Sequence, residues 1–220
     1  MSYADGLTAF LREHYPHIQI PDAERAVMDR AGRELAASGL AERALRTGDT
    51  APGFSLPTST GRTVTLDGLL SAGPVVLTFY RGAWCPFCNF ALRLLQQHHA
   101  DITARGAQLV AISPQIPDES LTLAEKHALA FDVLSDLGCD TAKQFGLSFD
   151  LPDDLAVVYE SFGFDLQRVN GGHPRTLPVP ATYVIDQDGT IRWSFVDTDY
   201  TARAEPSDIL ATLDARPTAH

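Results

Sequence analysis

Residues 79–88 read FYRGAWCPFC, and this stretch decides the fold. It closes an apolar run, PVVLTFY at 74–80, that has the length and continuity of a buried strand. It opens a segment from Pro86 to Ala104 in which Cys88, Ala91, Leu92, Leu95, His99 and Ile102 keep helical spacing on one face. Cys85 and Cys88 therefore stand where a strand has just ended and a helix begins. Pro86 suits the first helical turn, because the N–H it lacks would have had no partner there. Cys85 falls at or just before the helix N-terminus, where unpaired N–H groups and the macrodipole favour a thiolate. A thiol so placed has a lowered pKa and is a nucleophile. Cys88 follows on the same face of the turn. Its spacing from Cys85 is compatible with the roughly 4.4–6.8 Å Cα separation of disulfides. The pair can thus open and close without moving the backbone.

Outward from this stretch the pattern alternates. AQLVAIS (107–113) and FDVLS (131–135) read as further strands, with a helix expected over 118–129 and a short one near 140–146. Continuous apolar strands alternating with helices predict an α/β fold, with parallel strands in a sheet covered on both faces. The rhythm changes at 147–178, an irregular insertion with one expected helix over 152–162, leading into the Gly- and Pro-rich RVNGGHPRTLPVP (168–180). ATYVID, a DQDG turn and TIRWSFV then predict a β-hairpin in which Ile191, Trp193 and Phe195 alternate with Arg192 and Ser194. A helix over 206–214 closes the domain before a polar tail, 215–220. On the N-terminal side, Leu7, Phe10, Leu11 and His14 keep helical spacing, and a second helix runs from Pro21-Asp22 to Ser38-Gly39. Residues 1–47 thus read as a helical extension, a packing or homodimerisation arm. The Gly-, Pro-, Ser- and Thr-rich segment 46–62 leads from it into a domain spanning 48–214.

Composition narrows the chemistry. Of 220 residues, 45% are hydrophobic and 20% charged, enough apolar material for a real core and too much for a disordered chain. Lys and Arg number 17 against 28 Asp and Glu, a net charge of −11, which argues against nucleic acid or an anionic membrane as partner. No apolar run approaches the ~20 residues needed to cross a bilayer, and the N-terminus lacks the basic and apolar regions of a signal peptide. A cytoplasmic location follows as the expectation, and there a close cysteine pair is catalytic or metal-binding rather than a permanent staple. Zinc would need two more ligands, and Cys139 and the seven histidines, His98-His99 among them, offer no second pair. Dinucleotide, P-loop, serine-hydrolase and zinc-protease motifs are all missing, so the sequence calls for no cofactor and no metal.

APGFSLPTSTGRTVTLDGLL (51–70), LVAISPQ (109–115), LSDLGCDTAKQFGL (134–147) and ATYVIDQDGTIR (181–192), taken with the cysteine stretch, carry a family resemblance. Over roughly 48–214 the chain resembles the thioredoxin-like superfamily, and within it the peroxiredoxin-like alkyl hydroperoxide reductase/thiol-specific antioxidant family. The resemblance implies a central mixed sheet flanked by helices. It further implies a thiol-dependent antioxidant oxidoreductase that reduces hydroperoxides or disulfides at the expense of a thioredoxin- or glutaredoxin-type dithiol. True peroxiredoxins carry P-x-x-x-T/S-x-x-C here; laid on this sequence, Cys88 takes the peroxidatic position, Cys85 the Thr/Ser position and Arg81 the Pro position. Peroxiredoxins also place an arginine just before the strand that ends in I-D, and Pro180 occupies that place. The replacements resemble thioredoxin instead: a C-x-x-C preceded by Trp84, and a Val-Pro before the strand, where thioredoxins keep a cis-proline.

Catalysis is therefore expected of Cys85 and Cys88, with Arg81, Trp84, Pro86 and Pro180 shaping the site. Arg81 is either a thiolate-stabilising guanidinium or a solvated strand-end residue. Trp84 is expected to shield the site, Cys139 to be a small packed residue, and His173 to lie on a surface loop rather than relay protons. In thioredoxin logic Cys85 attacks and Cys88 resolves; in peroxiredoxin logic Cys88 becomes a sulfenic acid and Cys85 resolves it. The usual exposure of the first cysteine of such pairs favours the former, and family resemblance the latter. The Pro-Phe dipeptide resembles the Pro-Tyr of glutaredoxins and implies a potential above roughly −270 mV. The alternative from another class is a redox-responsive binding protein that uses the disulfide as a switch without turnover.

Overall fold

Alternate residues of the run 75–80 enter two different cores: Val75, Leu77 and Phe79 one, Val76 and Tyr80 the other. A strand buried on both faces cannot show polar alternation, which is why it reads as a continuous apolar run. The computed structural model describes residues 7–14, 20–58, 60–117, 119 and 128–215. Its strands in chain order are β1 (Ser55–Pro57), β2 (Thr63–Thr65), β3 (Val75–Phe79), β4 (Gln108–Ser113), β5 (Asp132–Ser135), β6 (Ser148–Asp150), β7 (Thr176–Pro178), β8 (Ala181–Ile185) and β9 (Ile191–Val196). Its helices are α1 (Leu7–His14), α2 (Asp22–Ala37), α3 (Leu40–Arg43), α4 (Leu66–Ala72), α5 (Pro86–Gln97), α6 (His99–Ala104), α7 (Asp140–Gln144), α8 (Asp153–Ser161), α9 (Leu166–Val169) and α10 (Pro206–Asp214).

The central sheet has the order β5-β4-β3-β8-β9, with β3, β4 and β5 parallel and β8 and β9 antiparallel to their neighbours. It is the mixed, helix-flanked sheet of a thioredoxin-like α/β fold. On one face Leu92, Leu95 and Ile102 of α5 and α6 and Ile209 of α10 cover Val76, Leu109 and Val184. On the other, Leu40, Leu66, Leu70, Phe145 and Leu147 cover Leu77, Ile112 and Tyr183. A third cluster joins Ala31 of α2 to Leu155, Val158 and Tyr159 of α8 and to Val169 and Leu177, so the N-terminal helix packs on the 147–178 insertion.

Several expectations need correcting. The helix expected over 86–104 is two helices, because the chain tightens at His98, whose N–H is shared between the carbonyls of Leu94 and Leu95 at φ −96°, ψ 4°. The insertion is less irregular than its composition suggested: β6 and β7 zip its ends together, Ser148 opposite Pro178 and Asp150 opposite Thr176, and α9 adds a second helix. The hairpin forms, yet along β9 only Ile191 is fully buried, and Trp193 and Phe195 are half-buried like Arg192 and Ser194. The helix expected over 118–129 falls mostly outside the described residues, as does the tail beyond Ala215.

Leu77 is wholly buried in the central strand. Leu77→Ala is expected to lower the unfolding free energy by about 2–5 kcal/mol in urea denaturation, the usual cost of a core cavity; a loss under ~1 kcal/mol would contradict this packing.

Candidate active site

β3 ends at Phe79, and the Tyr80 N–H still donates to the Ile112 carbonyl on β4. The chain then turns through 81–84 into α5. Gly82 has φ +139°, and a Cβ there would stand 2.5 Å from Trp84 Nε1, so only glycine allows the indole to fold back over the turn. Gln115, wholly buried at the end of the LVAISPQ stretch, accepts a hydrogen bond from the Ala83 N–H, and Asn89 Nδ2 donates to the Ala83 carbonyl at 2.8 Å. These bonds fix the turn that delivers Cys85 to the N-cap of α5, with Pro86 in the first turn as expected.

Both thiols are free, and both are buried, Cys85 at 2% and Cys88 at 0% exposure. The expectation that the first cysteine would be the exposed one is not met: Cys85 is buried in the same apolar cluster as Cys88. Burial alone would raise the Cys88 thiol. The hydrogen bond from the Cys85 thiol, the Arg203 guanidinium, the Arg81 backbone N–H and the Arg81 charge outweigh it and hold Cys88 well below the usual thiol range. Burial pushes Cys85 the other way, well above that range, and the bond to Cys88 and the charge there add to the rise. The surroundings thus favour a thiolate on Cys88 rather than on Cys85, where the helix position alone placed it. A hydrogen bond made to the charged form, together with a buried guanidinium, outweighs a helix terminus.

Arg203 is the residue that sequence reasoning missed. Its Nη2 donates to Cys88 Sγ at 3.1 Å and its Nη1 to the Tyr200 carbonyl at 2.7 Å, while its backbone N–H is bonded to Thr8 Oγ1 of α1 at 3.2 Å. It is only 7% exposed. No motif surrounds it in the sequence; only the return of the chain after β9 brings it under α5. Pro180 lines the same small void, about 20 Å³, as Cys88 and Arg203.

Arg81 is buried too, at 4% exposure, so the solvated strand-end reading is excluded. Its guanidinium lies 4.8 Å from the Trp84 ring, 5.2 Å from Tyr200 and 5.3 Å from Tyr159, and it donates a hydrogen bond to the Tyr159 hydroxyl. Trp84 packs on Tyr159 and Phe164, with centroids 5.5 and 5.2 Å away, and so shields the site from the insertion side. With Cys85, Phe87 and Met28 these rings line a cavity of about 450 Å³. Cys139 is buried at the start of α7, its Sγ 3.5 Å from the Thr176 carbonyl, and burial pushes its thiol far up. His173 is exposed and lies against Gly138, as a surface loop residue does. No group of His, Cys, Asp and Glu that could hold a metal ion occurs among the described residues.

A cysteine pair between a strand end and a helix start, on this mixed sheet, defines a thioredoxin-like thiol oxidoreductase. The AhpC/TSA family matches residues 47–194. A putative peroxiredoxin of Mycobacterium tuberculosis is 30% identical over 171 residues, covering 78% of this chain and 97% of the relative. Peroxiredoxin Bcp of Escherichia coli is 29% identical over 153 residues, covering 70% and 86%. The crystal structure of peroxidoxin BcpB from Mycobacterium tuberculosis superposes with a TM-score of 0.61 at 28% identity, covering 77% of this chain and 96% of that one. The chain belongs to the AhpC/TSA family, and its chemistry is that of a thiol-dependent antioxidant peroxidase.

Arg203→Met removes the charge nearest Cys88 while keeping most of the side-chain volume. The Cys88 titration, followed by ultraviolet thiolate absorbance, is then expected to move up towards the ordinary thiol range, since the guanidinium favours the charged form. The rate with hydrogen peroxide should be level at neutral pH in the wild type and fall only in acid, but still rise through neutral pH in the variant. An unshifted titration would mean that Arg203 does not govern the thiolate.

Proposed function

We propose that Cys88 is the peroxidatic cysteine and Cys85 its resolving partner, and that Arg203 supplies the guanidinium for which the family pattern has an arginine at the position of Pro180. The observation that carries this reading is the 3.1 Å bond from Arg203 Nη2 to Cys88 Sγ, made to the cysteine whose thiolate the site favours. The Cys88 thiolate attacks the terminal peroxide oxygen. The O–O bond breaks, Cys88 becomes a sulfenic acid, and the departing oxygen leaves as an alcohol or water after taking a proton. Arg203 faces the charge that moves from sulfur to oxygen in this step. The Cys85 sulfur, already hydrogen-bonded to Cys88, then displaces hydroxide as water and closes the Cys85–Cys88 disulfide. Two electrons from a thiol donor restore the dithiol. Three free cysteines fit a reducing cytoplasm as the place of work. Arg81, Trp84, Pro86 and Pro180 act as positioning residues around the pair.

Relatives that are peroxiredoxins favour turnover over a disulfide switch without catalysis. The test exposes Cys85→Ser and Cys88→Ser separately to hydrogen peroxide and traps sulfenic acid with a dimedone-type reagent. Rapid trapping only in the protein that keeps Cys88 supports the assignment. Trapping only in the one that keeps Cys85 reverses the roles and returns the site to thioredoxin logic.

A further inference from the structure

The two thiols face different spaces. Cys88 adjoins the void of about 20 Å³, room for about one water-sized molecule. Cys85 is in the wall of the cavity of about 450 Å³ enclosed by α2, α8 and the turn 81–84, a size that holds an organic molecule and excludes a folded protein. The cavity wall is aromatic, with two charged residues, Arg25 at the rim and Arg81 within; no Asp or Glu lines it among the described residues. In a chain of net charge −11 that is a local reversal of sign.

Charge balance makes the same point. Arg81 and Arg203 are both buried, and neither is within ion-pair distance of a carboxylate among the described residues. Among the described residues, a Cys88 thiolate sets one negative charge against two guanidiniums. When the disulfide forms, even that charge is gone. A buried cation without a counter-charge is costly, so the oxidised site favours an incoming anion, and reduction, which restores the thiolate, weakens its hold.

Resting on the cysteine roles proposed above, we infer that the electron donor which enters this cavity and attacks Cys85 is a low-molecular-weight thiol carrying a carboxylate, with Arg81 as the carboxylate's anchor. The donor's thiolate attacks Cys85 Sγ. The Cys85–Cys88 bond breaks, its electron pair leaves on Cys88 Sγ as the stabilised thiolate, and a mixed disulfide between donor and Cys85 remains. A second donor molecule attacks the donor sulfur of that mixed disulfide. This releases Cys85, which takes up a proton, and the two donors depart joined as their own disulfide. A low-pKa leaving group at Cys88 makes attack at Cys85 the faster direction. A glutaredoxin-type carrier acts in this scheme on the mixed disulfide, not on the buried pair.

The test reduces the pre-oxidised full-length protein with mercaptoacetate, mercaptoethanol or cysteamine, which present a carboxylate, a neutral hydroxyl and an ammonium. Rates are followed by tryptophan fluorescence and compared per thiolate after correction for thiol pKa. Mercaptoacetate is expected to be faster than mercaptoethanol by about tenfold, what a charge-assisted hydrogen bond supplies, with cysteamine slowest. Arg81→Met should flatten that order. Arg25→Glu, at an exposed position on α2 and safe for folding, should favour cysteamine over mercaptoacetate. Equal rates in the wild type, or a charge order that survives both substitutions, overturns the inference. So does thioredoxin reducing the disulfide faster than any of these thiols and indifferently to both substitutions. Mass analysis after peroxide treatment separates the two layers: absence of a Cys85–Cys88 disulfide defeats the cysteine roles, whereas its presence with a flat charge order defeats only the donor assignment.

Discussion

The contact between the Cys88 sulfur and the Arg203 guanidinium sets the terms for the rest of the site. Buried separately, a thiolate and a guanidinium would each cost several kcal/mol, and their attraction compensates only where geometry and further hydrogen bonds are good. Here those bonds exist: the Arg81 N–H and the Cys85 thiol reach the sulfur, and the Tyr200 and Ala202 carbonyls hold the guanidinium. Each partner fixes a different part of the chain. Cys88 needs the 81–84 turn, which depends on Gly82 and Gln115. Arg203 needs the return of the chain after β9, a loop pinned to α1 through Thr8. Two separate stretches of the chain thus meet at one sulfur, and two more, through Gln115 and Thr8, hold them in place.

The same contact divides the labour of the pair. One charge cannot be shared equally between two adjacent buried sulfurs, so the environment that stabilises a thiolate on Cys88 keeps Cys85 protonated. Cys88 is then suited to attack an oxidant and to leave from a disulfide, and Cys85 to receive a donor. Much of the surrounding wall lies outside the stretch shared with the family. The AhpC/TSA match spans 47–194, whereas Thr8, Arg25, Met28, Tyr200 and Arg203 fall beyond it at either end. Residues flanking the common scaffold thus supply both the guanidinium at one sulfur and part of the cavity wall at the other.

Much of this was legible before any coordinates. The runs at 74–80 and 107–113, the helix opening at Pro86 and the final helix over 206–214 were visible because burial on both faces, proline at a first turn and helical spacing are local patterns. The family resemblance had the same origin. The break at His98 and the β6–β7 ladder were not visible, since a tightened turn leaves no compositional mark and three-residue strands are too short for a periodicity. At the site, Cys85, Cys88, Arg81, Trp84, Pro86 and Pro180 all lie within or beside conspicuous motifs, and the structure gathers them around the thiols or the cavity. Arg203 stands in no motif, 115 positions from the cysteine that it serves.

By itself, then, the sequence determined that two cysteines sit at a strand–helix junction of a thioredoxin-like fold, because strand burial, helix initiation and cysteine spacing are encoded within a few neighbouring residues. It could not decide which sulfur carries the charge. Read locally, the helix terminus pointed to Cys85. Tertiary structure favours Cys88, since the deciding terms, a guanidinium from beyond β9 and burial in the cluster shared with the sheet, α6 and α10, arise only when distant segments share one small low-dielectric volume.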